Sequence, residues 1–393
     1  MINVVRSFRD ITRLAIDPNR PVVTLFSGGL DSSYLLHHLA ATGFSDVHAV
    51  SVDVGADEDL RSRRQIAERL GATFHSIDGR AEFTEEFVAA AIRAHSVYLD
   101  THPVSSSLSR PLMARVAVRT AEKLGASVIL HTANRSQNTL RRLNGALKQL
   151  GYAGRYGSPY AEEPVDRAQK IDELKQAGIL ELADRTESSD SNLWCREFES
   201  GILDDPEWHE VPLVYYRWTA PTMMSESDKL SIEFRQGLPV AVNGQAASLS
   251  NIIDDLNHHV GSFGIGRYTG LEHLDAGEKV LEIREMPAAT ILLRTRRHLE
   301  TAVLDAETIR EKISIEQVWV REALEGRWFG ELRSACQAFV DSCAERITGC
   351  VTWKLSPGSA ETLSIVAEEG RYLRSREGWE RALHANREGA QVS

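Results

Sequence analysis

The chain has 393 residues, enough for two domains, and its 42% hydrophobic and 26% charged content is that of an ordinary globular protein. A formal net charge of −11 argues against a protein whose main business is a nucleic-acid backbone, although it leaves room for one basic cleft. No apolar run approaches the ~20 residues of a membrane-spanning helix, and the stretch 1–20 lacks the apolar centre of a signal peptide, so the chain is read as cytoplasmic with no membrane partner.

In chain order, Val22 to Phe26 reads as a short buried strand that ends at a Gly pair, and Asp31 to Ala41 as the helix after it. A second strand follows at Val47 to Val54, a helix at Asp57 to Leu70, a third strand at Thr73 to Ile77, and a long helix through Ala94. Arg110 to Leu124 is helical and Ser127 to His131 is another buried strand. Strands alternating with helices predict a parallel sheet covered on both faces, with ligands beyond the carboxyl ends of the strands.

The pattern changes near Ala177 to an α+β one. Lys229 to Phe234 and Val240 to Val242 read as a hairpin through Gln236-Gly237-Leu238-Pro239, Leu249 to His259 as a helix, and Thr290 to Arg294 as a short strand. Trp328 to Ala344 is amphipathic, with Cys336, Phe339, Val340 and Cys343 on one apolar face. Val351 to Leu355 and Thr362 to Val366 form a second hairpin around Pro357-Gly358, and a charged arm begins near Tyr372. The four cysteines are too sparse for a disulfide framework and contain no CxxC pair for zinc.

The most specific feature is Ser27-Gly28-Gly29-Leu30-Asp31-Ser32-Ser33, directly after a strand and opening a helix. Two glycines let the backbone approach a ligand, and N–H groups at the helix start, with the Ser27, Ser32 and Ser33 hydroxyls, make an anion cradle. The GxxxxGK[ST] lysine is missing, so this is not the common nucleotide triphosphatase loop. Such a cradle suits a departing pyrophosphate while attack occurs at the α-phosphorus. Asp31 is read as a magnesium or phosphate-region carboxylate, with the N-cap of the following helix as the plainer role.

With these residues in hand, the loop resembles the PP-loop of the N-type ATP pyrophosphatases. Further strings narrow the resemblance to the argininosuccinate synthase family: Val97-Tyr98-Leu99-Asp100, Ser106-Ser107-Leu108-Ser109-Arg110-Pro111, His131-Thr132-Ala133 with Asn138, Ser188-Ser189-Asp190-Ser191-Asn192-Leu193-Trp194, Gly264-Ile265-Gly266-Arg267 and Pro287-Ala288-Ala289-Thr290. The resemblance implies an α/β fold with a parallel-sheet PP-loop ATP-binding domain at 21–176, preceded by an N-terminal extension at 1–20. A second α+β synthetase domain would occupy 177–371, with a C-terminal arm at 372–393 exchanged between subunits of a homotetramer. It also implies ATP and Mg2+ as cofactors, with amino-acid substrates, aspartate among them. Citrulline and aspartate would be joined with release of AMP and pyrophosphate: adenylation turns a ureido oxygen into a leaving group, and an amine displaces it.

Carried over residue by residue, the resemblance places ATP against Phe26, Ser27, Gly28, Gly29, Asp31, Ser32, Ser33, Val54 and His131. Asp31 and Asn138 would be catalytic, Asp31 also holding Mg2+. Tyr98 and Ser106 match positions lining the aspartate site, and Asn138 matches an asparagine that meets the amino-acid substrates. Arg142, Ser188 and Glu272 match the citrulline pocket. The departures are physically large: Thr139 stands where the resemblance implies aspartate, Asn134 where it implies threonine, Glu197 where it implies serine and Arg284 where it implies tyrosine. Ala161 replaces an arginine. Glu197 and Arg284 either pair with each other and reshape the wall or recognise groups that citrulline lacks, and altered recognition is the leading reading. The alternative is an authentic argininosuccinate synthase. A tRNA-modifying PP-loop enzyme would want basic extensions, and a non-catalytic sensor would not need the complete loop.

Overall fold

The computed structural model describes residues 4–14, 16–56, 59–180, 182, 188–199, 201–220, 226–274 and 277–390. Its first half is built on a six-stranded sheet, all of whose pairings are parallel. The strands are β1 (Val4–Val5), β2 (Val22–Leu25), β3 (Val47–Asp53), β4 (Thr73–Asp78), β5 (Val128–Leu130) and β6 (Arg155–Gly157). They lie in the order β1-β6-β5-β2-β3-β4. Val22, Val23, Val128, Ile129 and Leu130 are fully buried, as expected for strands covered on both faces. The chain leaves β2 toward one edge and returns to β5 on the other side. That makes the crevice between the carboxyl ends of β2 and β5 the switch point where such sheets take their ligands. The edge strand β1 lies within the stretch 1–20, which also forms a short helix (Phe8–Arg13) closed by a Ser7–Asp10 capping box.

The helices that frame this crevice are α1 (Leu30–Ala41), α2 (Leu60–Arg69), α3 (Ser106–Leu124), α4 (Thr139–Gln149) and α5 (Arg167–Gln176). Residues 57–58 at the expected start of α2 lie outside the described residues, and Asp59 caps it by accepting from the Arg61 and Ser62 N–H groups. The long helix after β4 spans 80–93 and passes through a π turn at Phe83–Val88. α3 starts at Ser106, earlier than the expected Arg110, because the serine-rich string is itself helical.

The second half is α+β. Strands β7 (Ser188–Asn192), β8 (Cys195–Glu199), β9 (Arg267–His273) and β10 (Lys279–Glu285) form a four-stranded antiparallel sheet in the order β9-β10-β8-β7. A five-stranded sheet holds both expected hairpins, Asp228–Arg235 with Leu238–Val242 and Gly349–Ser356 with Ser359–Ala367. The first hairpin turns on Gln236 and Gly237 alone, both at positive φ (49° and 78°). One expectation is overturned: Thr290 to Arg294 is not a strand but part of a helix, Pro287–Val303. A short apolar run does not distinguish strand from buried helix, and Pro287 at the first helical position marks the start.

One apolar cluster runs from Val23 and Val50 under the parallel sheet through Trp194 to Trp319 and Trp353, tying the two halves together. Cys336, Val340 and Cys343 face inward on the helix Glu331–Ala344. The arm carries a helix, Arg376–Ala390, with Trp379 and Leu383 exposed. No helix among the described residues is long and apolar enough to cross a membrane.

Candidate active site

The cradle forms at the end of β2. The Phe26 N–H donates to the Val50 carbonyl (2.8 Å), fixing the exit of the strand, and Gly28 turns the chain at φ +71°. A Cβ at Gly28 would come within 2.6 Å of the Arg63 side chain, so only glycine fits there without displacement. Gly29 caps α1 without a side-chain bond, leaving the N–H groups of its first turn to a ligand. The Ser27 and Ser32 hydroxyls bond each other (3.1 Å), and Ser32 donates to the Gly29 carbonyl (3.1 Å). Ser33 Oγ is fully buried and finds no partner among the described residues. Val54 follows β3, and His131 follows β5 across the crevice. Burial pulls His131 down to about 4, and its Nε2 meets Asn144 Oδ1 at 3.0 Å, so it is neutral.

Asp31 does not cap α1. It lies in the first turn with Oδ1 2.6 Å from Lys170 Nζ on α5. A magnesium ion wants an octahedron of oxygens. No group of three or more His, Cys, Asp or Glu is gathered for a metal among the described residues, and the Asp31 carboxylate already carries an ammonium. In nucleotide sites magnesium is usually held by one or two carboxylates together with substrate phosphates and water, and Asp31 is the cradle carboxylate that would meet it.

A second, deeper feature is a cavity of about 390 Å³ where α3, α4, β9, β10 and the helix Ala306–Leu324 converge. Tyr98, Ser106, Asn138, Arg142, Glu272 and Arg284 all line it, so much of the substrate set chosen from the sequence comes together. None of the cradle residues lines it. Asn138 donates through Nδ2 to the His273 carbonyl (2.9 Å), while its buried Oδ1 accepts from no donor among the described residues. Arg142 donates to Ser106 Oγ (2.8 Å), to the Leu324 carbonyl (3.2 Å) and to Glu272 (3.3 Å). Thr139 Oγ1 accepts from Arg110 (3.3 Å), which also pairs with Asp190. Asn134 stays in its own loop, accepting from the Ser136 N–H (3.0 Å) and hydroxyl (2.6 Å). Ser188 pairs through its backbone with Glu199 on β8, and its side chain lies outside the described residues.

The wall behind the cavity is ionic. Arg284 on β10 sits opposite Glu197 on β8, and its guanidinium donates to Glu197 (2.7 Å) and to Glu282 (2.9 Å). All three are buried. Burial raises Glu197 and raises Glu282 well above the carboxylate range, whereas Arg284 is held cationic by Glu197 and Glu282 against its own burial. Burial also opposes ionisation of Glu272, but a hydrogen bond from Glu282 and the Arg142 and Arg284 cations outweigh it and hold Glu272 at about 2. Glu282 is thus held between the Arg284 guanidinium and the neighbouring Glu272 carboxylate. The carboxyls of Glu197, Glu282 and Glu272 face the two cations Arg284 and Arg142.

Residues 21–180 match the family model described as the arginosuccinate synthase N-terminal HUP domain, and residues 188–377 that of the arginosuccinate synthase C-terminal domain. The argininosuccinate synthase of Dictyoglomus turgidum is 35% identical over 354 residues, covering 89% of this chain and 88% of that protein. That of Symbiobacterium thermophilum is also 35% identical, covering 86% of each chain, and that of Pyrococcus furiosus is 33% identical, covering 89% and 86%. The chain belongs to the argininosuccinate synthase family. It is therefore an ATP-dependent, AMP-forming C–N ligase of the argininosuccinate synthase kind.

Several residues at these two features escaped sequence reasoning. His102, His273, Arg141, Gln317, Arg321 and Glu325 line the cavity, Glu282 completes the ionic wall and Lys170 reaches the cradle. Burial pulls His102 down to about 3, so it is neutral, and its Nδ1 meets Thr101 Oγ1 at 2.9 Å. The Tyr98 hydroxyl meets His273 Nδ1 at 3.1 Å. Glu282 had a signal: it lies two residues from Arg284, hence on the same face of a strand. Lys170 had none, because its partner is 139 residues away.

Proposed function

We propose that this ligase adenylates a ureido or carbonyl oxygen in an acceptor pocket altered from that of citrulline, and that an amine, aspartate in the first instance, then displaces AMP. The acceptor oxygen attacks the α-phosphorus of ATP, the bond to the β-phosphate oxygen breaks, and pyrophosphate leaves into the Ser27–Ser33 cradle. The amine nitrogen next forms a bond to the activated carbon, the carbon–oxygen bond to AMP breaks, and the amine gives up a proton. Asn138, which lines the cavity, would orient that amine for attack. No protein nucleophile is required, and no step is assigned to a protein-held metal.

The observation that carries the altered pocket is Arg284. Its buried guanidinium lines the cavity alongside Tyr98, Ser106 and Arg142, with Glu197 and Glu282 behind it. Where the resemblance implies neutral serine and tyrosine, this wall holds an ion cluster, and at Thr139 a carboxylate is lost beside Asn138. The test is a screen of ureido and carbonyl acceptors with aspartate and ATP, following pyrophosphate release. A best acceptor other than citrulline supports the reading.

A second reading, authentic argininosuccinate synthase, is favoured by the internal cancellation of the wall's charges. Arg284 is answered by Glu197 and Arg142 by Glu272, so the cavity shows little net field to a zwitterionic substrate. Citrulline emerging as the best acceptor in the same screen would establish it.

A further inference from the structure

We propose that Lys170 is a positioning residue of the phosphate cradle, neutralising Asp31 so that a polyanion can settle at the start of α1. Asp31 stands in the first turn of that helix, among the N–H groups that form the cradle. A bare carboxylate there opposes the β- and γ-phosphates that the turn otherwise attracts. Lys170 Nζ is 2.6 Å from Asp31 Oδ1. Its side chain is only 11% exposed, which sets it apart from an ordinary surface ion pair.

The ammonium also has its own support. It lies 5.6 Å from the centre of the Tyr160 ring, and the Tyr160 hydroxyl donates to the Asp31 backbone carbonyl at 2.9 Å. Tyr160 thus fixes both partners, the carboxylate through its backbone and the lysine through its ring. The loop contains no lysine of its own, and Ala161 beside Tyr160 brings no charge, so α5 supplies this cation from a distant part of the chain. A neutralised Asp31 leaves the N–H groups of the first turn and the positive helix end to act on the phosphates without opposition.

The inference rests on reading the loop as a phosphate cradle, and one calorimetric experiment separates the two. Inorganic pyrophosphate and AMP are titrated separately into the wild-type full chain and into the variants Lys170→Met and Lys170→Arg. Lys170→Met should weaken pyrophosphate at least about tenfold while AMP stays within about twofold, and Lys170→Arg should restore most of the loss. In steady state the same variant should raise KM for ATP, and adding Asp31→Asn to Lys170→Met should recover pyrophosphate binding because the opposing carboxylate is gone. If Lys170→Met does not fold, Lys170→Gln, which keeps a hydrogen-bond donor to Asp31, carries the comparison. Pyrophosphate binding unchanged in the neutral variant, or AMP weakened in equal measure, would overturn the role of Lys170. Failure of the wild type to bind pyrophosphate would overturn the cradle, and this proposal with it.

Discussion

Replacing Arg284 by methionine removes the single cation that two buried carboxyls share. Arg284 is 3% exposed, Glu197 6% and Glu282 5%, so none of them recovers much hydration when a partner is lost. Breaking a buried ion pair from one side costs about 3–5 kcal/mol, because the remaining charge is left uncompensated. At about 2 °C per kcal/mol for a chain of this size, the melting temperature should fall by roughly 6–10 °C. The loss should depend on pH. Glu197 and Glu282 already have folded-state values raised by burial, and removing the guanidinium raises them further. A group raised on folding adds stability below its unfolded value, about 4.3, and that contribution disappears as pH climbs through the folded value. Arg284→Met should therefore be milder at pH 5, where Glu197 takes up a proton, and most severe at pH 8. Adding Glu197→Gln should restore about 1–3 kcal/mol, the coupling expected of residues in one ionic network. Thermal melts of the two single variants, the double variant and the wild type at both pH values provide the cycle. A loss below about 2 °C, or one equally large at pH 5 and pH 8, would refute the ionic-wall argument.

Further outcomes follow from other parts of the site. Gly28→Val should abolish ATP-dependent pyrophosphate release, because it forces a β-branched residue to φ +71° and drives a Cβ to 2.6 Å from Arg63, while circular dichroism should show the fold retained. Chromatography of the spent nucleotide should show AMP, and ADP as the main product would rule out attack at the α-phosphorus. Asn138→Ala should lower kcat for amine capture by about tenfold to a hundredfold with a smaller effect on adenylation, read as pyrophosphate release that outruns coupled product. Burial raises the Glu199 carboxyl to about 7, so its contribution to stability is present below its unfolded value and is lost as pH rises through 7. Glu199→Gln should then raise stability at pH 8 by about 1–3 kcal/mol and change it little at pH 5, as denaturant titrations at the two pH values would show.

The parallel-sheet half was legible because its signals are local. A buried strand, two glycines and a helix start occupy one short string, and the alternation of strands and helices repeats along the next hundred residues or so. The ionic wall was only half legible. Glu197 and Arg284 stood out as departures from the family pattern, but their direct pairing is a property of the sheet that sets β8 beside β10 in register. β8 lacks the alternating apolar pattern that marks an amphipathic strand: Cys195-Arg196-Glu197-Phe198-Glu199 reads as polar, yet its first four residues are buried. β10 does alternate, Leu281 and Ile283 against Glu282 and Arg284, but its polar face is buried as well. Thr290 to Arg294 failed in the opposite direction, an apolar run whose β-branched content suggested strand while Pro287 and the following alanines started a helix. Lys170 shows the limit most plainly, since one of two lysines on a polar helix offers no local sign that it reaches the first turn of a helix formed 139 residues earlier.

The central claim is an AMP-forming ligase whose acceptor pocket has been redirected, and the most direct test is a comparison of kcat/KM for pyrophosphate release, with ATP and aspartate fixed, across a panel of ureido and carbonyl acceptors that includes citrulline. A mismatched buried charge is worth a few kcal/mol, and each ~1.4 kcal/mol is a factor of ten in rate. Citrulline should therefore fall at least about a hundredfold below the best acceptor, and Glu197→Ser with Arg284→Tyr should narrow that gap. Efficient conversion of citrulline and aspartate by the wild-type chain, ahead of every other acceptor, would contradict the redirected pocket and leave Glu197 and Arg284 as a structural ion pair.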